Sequence, residues 1–136
     1  MADSKQVSAI SRGVTMTPRK VSLVASLVRG RSVADALVIL QHTPKRAAKP
    51  LAKTIASAKS NAINTHGIDE KSLIIDSLQI GHGARSKRFR AAARGRAAPY
   101  QKRTSHIHVT VSGQPKPKKK PNATKTTVKS AGKEAK

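Results

Sequence analysis

Along the first half of the chain apolar residues recur at the three-and-four spacing of helices, and farther on they alternate with polar ones. Thr17 followed by Pro18 reads as a cap residue and a proline at the first helical position, and Val21, Val24, Leu27 and Val28 then form one apolar stripe that Gly30 ends. Ser32 with Asp35 resembles a capping box ahead of a second short helix, whose stripe is Val33, Ala36, Leu37 and Leu40. Thr43 and Pro44 repeat the cap-and-proline signal. They predict a third helix reaching to about Asn64, with Leu51, Ile55, Ala58 and Ala62 on one face and Lys45, Lys49, Lys53 and Lys59 on the other. Pro50 falls within that span and has no N–H to donate, so the helix either kinks there or begins at that residue.

After Gly67 the period changes. Leu73, Ile74, Ile75, Leu78 and Ile80 read as a strand, and Ile107, Val109 and Val111 alternate with His106, His108 and Thr110 as another; Val7, Ala9 and Ile10 suggest a weaker first strand. The segment 81–103 between the two strong strands has no such alternation and almost no large hydrophobes, so nothing in it can pack a core. Joined through it, the strands form a hairpin whose tip, at about twelve residues per arm and about 3.3 Å each, lies roughly 40 Å beyond the last core residue. A ribbon of that length is marginal alone in water and is expected to order against a partner. The fold class is therefore α+β: a small three-stranded antiparallel sheet packed on three helices, with a long protruding β-hairpin. One domain is expected over residues 1–113, with the arm at 81–103, and residues 114–136, rich in Lys and Pro, read as a disordered basic tail.

Composition sharpens this. The 136 residues hold 28 Lys plus Arg against 6 Asp plus Glu, a formal charge of +22, and one Phe and one Tyr are the aromatics. The core must be aliphatic and modest. No Cys is present, which excludes disulfides and thiolate chemistry. No apolar run is long enough to cross a membrane, and the first ten residues lack the apolar stretch of a signal peptide. Residues 81–113 contain no carboxylate at all, and a block of one sign implies an external polyanion, for which nucleic acid is the obvious candidate.

The cations of the arm are Arg85, Lys87, Arg88, Arg90, Arg94, Arg96, Lys102 and Arg103. Guanidinium groups bind phosphate bidentately and stack on bases, so an Arg-rich segment suits folded RNA. Phe89 and Tyr100 lie in the same segment; each can stack on an unpaired base or pack across the ribbon, and the sequence leaves both open. Enzymatic readings fail. Gly81 and Gly83 start a dinucleotide pattern that Ser86 breaks, and His106 with His108 lack a third ligand for a metal. Asp35 reads as a cap, Asp69 with Glu70 as a turn, and no acid–base couple remains. No catalytic residue, metal or cofactor is assigned.

Five segments in order, Thr17-Pro18-Arg19-Lys20-Val21, Val28-Arg29-Gly30-Arg31, Ser57-Ala58-Lys59-Ser60-Asn61-Ala62-Ile63-Asn64, Ala93-Arg94-Gly95-Arg96-Ala97 and Lys102-Arg103-Thr104-Ser105-His106-Ile107, resemble the bacterial-type large-subunit ribosomal protein twenty-two family. The resemblance implies a structural protein of the cytoplasmic ribosome that binds 23S-type rRNA, aids subunit assembly and meets neighbouring large-subunit proteins. It also implies that the hairpin lines the nascent-peptide exit tunnel, with Lys87, Arg88, Phe89, Arg90, Ala91, Ala92 and Ala93 at or near the tip, beside the nascent polypeptide. Body contacts to rRNA are expected from Arg19, Lys20, Lys45, Arg46, Lys49 and Lys53, and arm contacts from the cations named above together with His106. No membrane partner and no homo-oligomer are expected. Two rivals are a DNA-architectural protein with minor-groove arms and a membrane-active cationic protein, for which the Ala-rich third helix supplies few bulky apolar residues.

Overall fold

Residues 5–115 are described by a computed structural model. The elements run β1 (Lys5–Val14), α1 (Pro18–Ala25), α2 (Val33–His42), α3 (Ala48–His66), β2 (Ile74–Ala91) and β3 (Ala97–Gly113). The strands form one antiparallel sheet in the order β1-β3-β2, so the last strand lies in the middle. Its alternation explains the layering: Ile107, Val109 and Val111 are fully buried against the helices, while His106, His108 and Thr110 face the other side. α3 packs on β1 and β3, α1 on β2 and β3, and α2 against α3. The core is wholly aliphatic, with Val21, Val28, Leu51, Ile55, Ile68 and Ile75 all inaccessible to solvent.

β2 does not alternate strictly, because Ile75 and Leu78 both face inward. A bulge between Ile75 and Ser77 inserts one residue and restores the phase, so that Ile75 pairs with Val111 and Leu78 with Val109. The outer edge of β2 is covered by the α1–α2 connection: the Gly30 N–H donates to the Ile75 carbonyl at 3.2 Å, the Ile75 N–H to Arg31 at 3.0 Å, and Val33 to Leu73 at 3.0 Å. The Arg29 guanidinium donates to the Leu78 carbonyl at 3.1 Å, tying the same connection to the strand.

Several expectations need correcting at element ends. The first helix stops at Ala25, five residues before Gly30; Leu27 and Val28 lie in tight turns, with N–H groups donating to Val24 and Ala25. Leu27 therefore leaves the buried stripe and stays exposed, whereas Val28 still enters the core. Thr17 makes no side-chain cap bond. Ser32 does cap α2: its hydroxyl accepts the Asp35 N–H at 3.2 Å and donates to the Asp35 carboxylate at 2.7 Å. Thr43 and Pro44 do not start a helix. The Thr43 hydroxyl bonds back to the Ile39 carbonyl at 2.7 Å, closing α2, and α3 begins only at Ala48. Lys45 accordingly precedes α3 instead of riding on its face. Pro50 then falls in the first turn of α3, where N–H groups have no helical acceptor, so it neither kinks nor breaks the helix.

Two residues past β3 also bond to the body. Gln114 accepts the Asp69 N–H at 3.0 Å and donates its own N–H to the Ser72 hydroxyl at 3.0 Å, and Pro115 bridges to Ile68. The rest of the expected tail lies outside the described residues.

Candidate nucleic-acid interface

β2 and β3 remain paired far beyond the body, from Ile74 opposite Ser112 to Ala91 opposite Ala97. Every residue from Ala84 to Arg103 is exposed, so this ribbon is held by backbone pairing without a core. A second irregularity between His82 and Arg85 marks its base. There the Thr104 hydroxyl donates to the Ala84 carbonyl at 2.8 Å, and a side chain on Gly83 would collide with that hydroxyl.

Opposed residues share a face of an antiparallel pair, which sorts the arm into two sides. One carries Arg85 opposite Arg103, Lys87 opposite Gln101, and Phe89 opposite Pro99. The other carries Ser86 opposite Lys102, Arg88 opposite Tyr100, and Arg90 opposite Ala98. The Arg90 guanidinium lies 5.7 Å from the centroid of the Tyr100 ring, on the diagonal. Tyr100 thus packs across the ribbon, while Phe89 is 71% exposed with only Pro99 opposite. Arg85 facing Arg103 is unfavourable in isolation, since directly opposed like charges repel. No acid lies anywhere in residues 81–113 to relieve it.

The turn lies farther along than expected. Ala92 to Arg96 form it: the Ala92 N–H donates to the Arg96 carbonyl at 2.8 Å, and Arg94 and Gly95 both have positive φ, 57° and 70°. Ala91, Ala92 and Ala93 stand in or beside the turn, Lys87, Arg88, Phe89 and Arg90 on the strand leading to it, and Arg94 is the cation at the apex. Arg in the left-handed region is uncommon and costs of order 1 kcal/mol or more.

On the body, Arg19, Lys20, Lys45, Arg46, Lys49 and Lys53 are all exposed. The fold brings Lys20, Lys45 and Arg46 together with Arg103 from the base of the arm around one cleft of about 590 Å³. Its floor is apolar, built from Met16, Leu23, Val24 and Leu27. A second hollow of about 410 Å³ shares Lys45 and Arg46 and adds Lys49. Arg19 and Lys53 line neither. Sequence reasoning missed the floor; the one signal for it was Leu23, which sits off the Val21, Val24 and Val28 stripe of α1 and is 69% exposed.

His106 carries a bond within the fold. Its Nδ1 accepts the Gly13 N–H at 3.0 Å and so stabilises the irregular end of β1, where the register shifts between Ser11 and Val14. That nitrogen serves the fold and is not free for RNA.

The family model described as Ribosomal protein L22p/L17e matches residues 9–112, which include the sheet core apart from Val7 and the whole arm. The chain belongs to this family. A large ribosomal subunit protein uL22 from Streptococcus pyogenes serotype M6 is 43% identical over 112 residues, covering 82% of this chain and 98% of the relative. Membership makes the chain a structural constituent of the large ribosomal subunit, placed with the cytoplasmic ribosome. Both the projecting ribbon and the cationic cleft lie within the matched residues.

Proposed function

We propose that the chain binds 23S-type rRNA as a monomer, helps the large subunit to assemble, and lines the nascent-peptide exit tunnel with its ribbon. The observation that carries this reading is the ribbon itself: a two-stranded arm with no core, with arginines opposed across it and no acid of its own. Such an arm is electrostatically and entropically poised to become rigid within a polyanion. Arg85, Arg88, Arg90, Arg94, Arg96 and Arg103, with Lys87 and Lys102, neutralise phosphates along it, and Arg19, Lys20, Lys45, Arg46, Lys49 and Lys53 anchor the body. The slim tip, with Ala91, Ala92, Ala93 and Ala97 around Arg94, suits passage between RNA helices to a wall beside the nascent polypeptide. Neighbouring large-subunit proteins complete its surroundings.

Tagged protein expressed in cells is expected to co-sediment with large subunits and to resist moderate salt washing. Recovery at the top of the gradient, or a preference for duplex DNA over folded RNA in a competition gel, would refute the reading.

A further inference from the structure

We propose that the cleft between α1 and the α2–α3 connection receives one RNA nucleotide extruded from its stack, with the base on the apolar floor and the adjoining phosphates on the cationic rim. This deepens the rRNA-binding reading and rests on it.

The cleft combines two features that rarely need each other. Its floor exposes Leu23 and Leu27, 69% and 48% accessible, beside Met16. Its rim gathers Lys20 from α1, Lys45 and Arg46 from the α2–α3 connection and Arg103 from β3, and no carboxylate lines it. Cations drawn from three separate elements onto one opening repel one another until an anion arrives. A bare anion has no use for an apolar floor, and an apolar peptide has no use for four cations. A nucleotide presents both a flat, weakly hydrated base and a phosphate on either side, and single-stranded or bulged RNA is recognised through such splayed bases. The volume of about 590 Å³ lies within the range of sites that enclose small ligands. Lys45 and Arg46 also line the neighbouring hollow with Lys49, which gives the strand a cationic path on leaving the cleft. Thr17 also lines the cleft, and its hydroxyl makes no cap bond.

The test binds the full chain to a large-subunit rRNA transcript, irradiates the complex, and maps base-to-protein cross-links by mass spectrometry. It compares wild type with the double variant Leu23→Gln, Leu27→Gln, which keeps the charge and alters two exposed side chains. Expected are cross-links from a base to the segments holding Met16, Leu23 and Leu27. In the variant these disappear and affinity falls about tenfold, as expected when roughly 50 Å² of apolar contact with the base is lost, with an unchanged salt slope and intact arm cross-links. Wild-type binding without any base cross-link in the cleft, together with unchanged affinity of the variant, overturns the inference while leaving the RNA-binding reading standing. Failure of the wild-type chain to bind the transcript overturns both.

Discussion

At Gly113, the last residue of β3, a Cβ atom would meet Ile68 Cγ2 at 2.6 Å and Leu73 Cδ2 at 3.0 Å, both on fully buried side chains. Neither neighbour can swing into solvent, so Gly113→Ala is expected to destabilise the body by about 1 to 3 kcal/mol, the usual cost of overpacking, read as a lower denaturant midpoint. Ser105 poses the opposite case. Its hydroxyl is fully buried in the middle strand and has no hydrogen-bond partner among the described residues. Removing an unsatisfied hydroxyl relieves a desolvation cost, so Ser105→Ala is expected to be neutral or stabilising by about 1 kcal/mol in the same measurement. A loss of stability would show that the hydroxyl is satisfied by water.

At the scale of elements, the body and the arm are held by different forces. α3 buries Leu51, Ile55, Ala58 and Ala62 against the sheet, and the capped start of α2 is fixed by Ser32 and Asp35. Beyond Gly83 the same two strands bury nothing until Thr104 returns to the body. Two-stranded ribbons without a packed face are marginal in water, so amide exchange on the free protein should be slow for Ile107, Val109 and Val111 and fast from residue 85 to residue 102. Assembly into the subunit is expected to slow the second group. Equal protection in dilute buffer would show that the ribbon needs no partner.

For the whole molecule the deciding quantity is charge. Replacing Arg88, Arg90, Arg94 and Arg96 by Ala removes four exposed cations that lie outside the core, so the body should melt as before while incorporation into large subunits falls in competition with wild type. The logarithmic salt slope of rRNA binding should drop by up to about 0.9 for each phosphate that is no longer neutralised, or by about 3 to 4 if all four arginines engage duplex phosphates. Unchanged incorporation at equal slope would show that the arm takes no part in binding.

Local chemistry and periodicity determined much of this protein. Helical spacing located the buried faces of all three helices, strict alternation located β3, and the acid-free stretch marked the arm, because each is written in neighbouring residues. Packing decided the rest. Thr17-Pro18 precedes a helix and Thr43-Pro44 follows one, although the two pairs look alike, because the second hydroxyl bonds backward to Ile39. The bulge that rephased β2 leaves a mark in periodicity, in the step from Leu73 and Ile75 to Leu78 and Ile80, whereas register placed the turn at residues 92–96 and an irregularity at the base of the arm, and neither leaves such a mark. The same applies to His106, whose partner Gly13 is remote in the chain, and to the cleft that joins Lys20, Lys45, Arg46 and Arg103. Residues far apart along a chain meet only when the backbone closes on itself, and one-dimensional spacing carries no record of that closure.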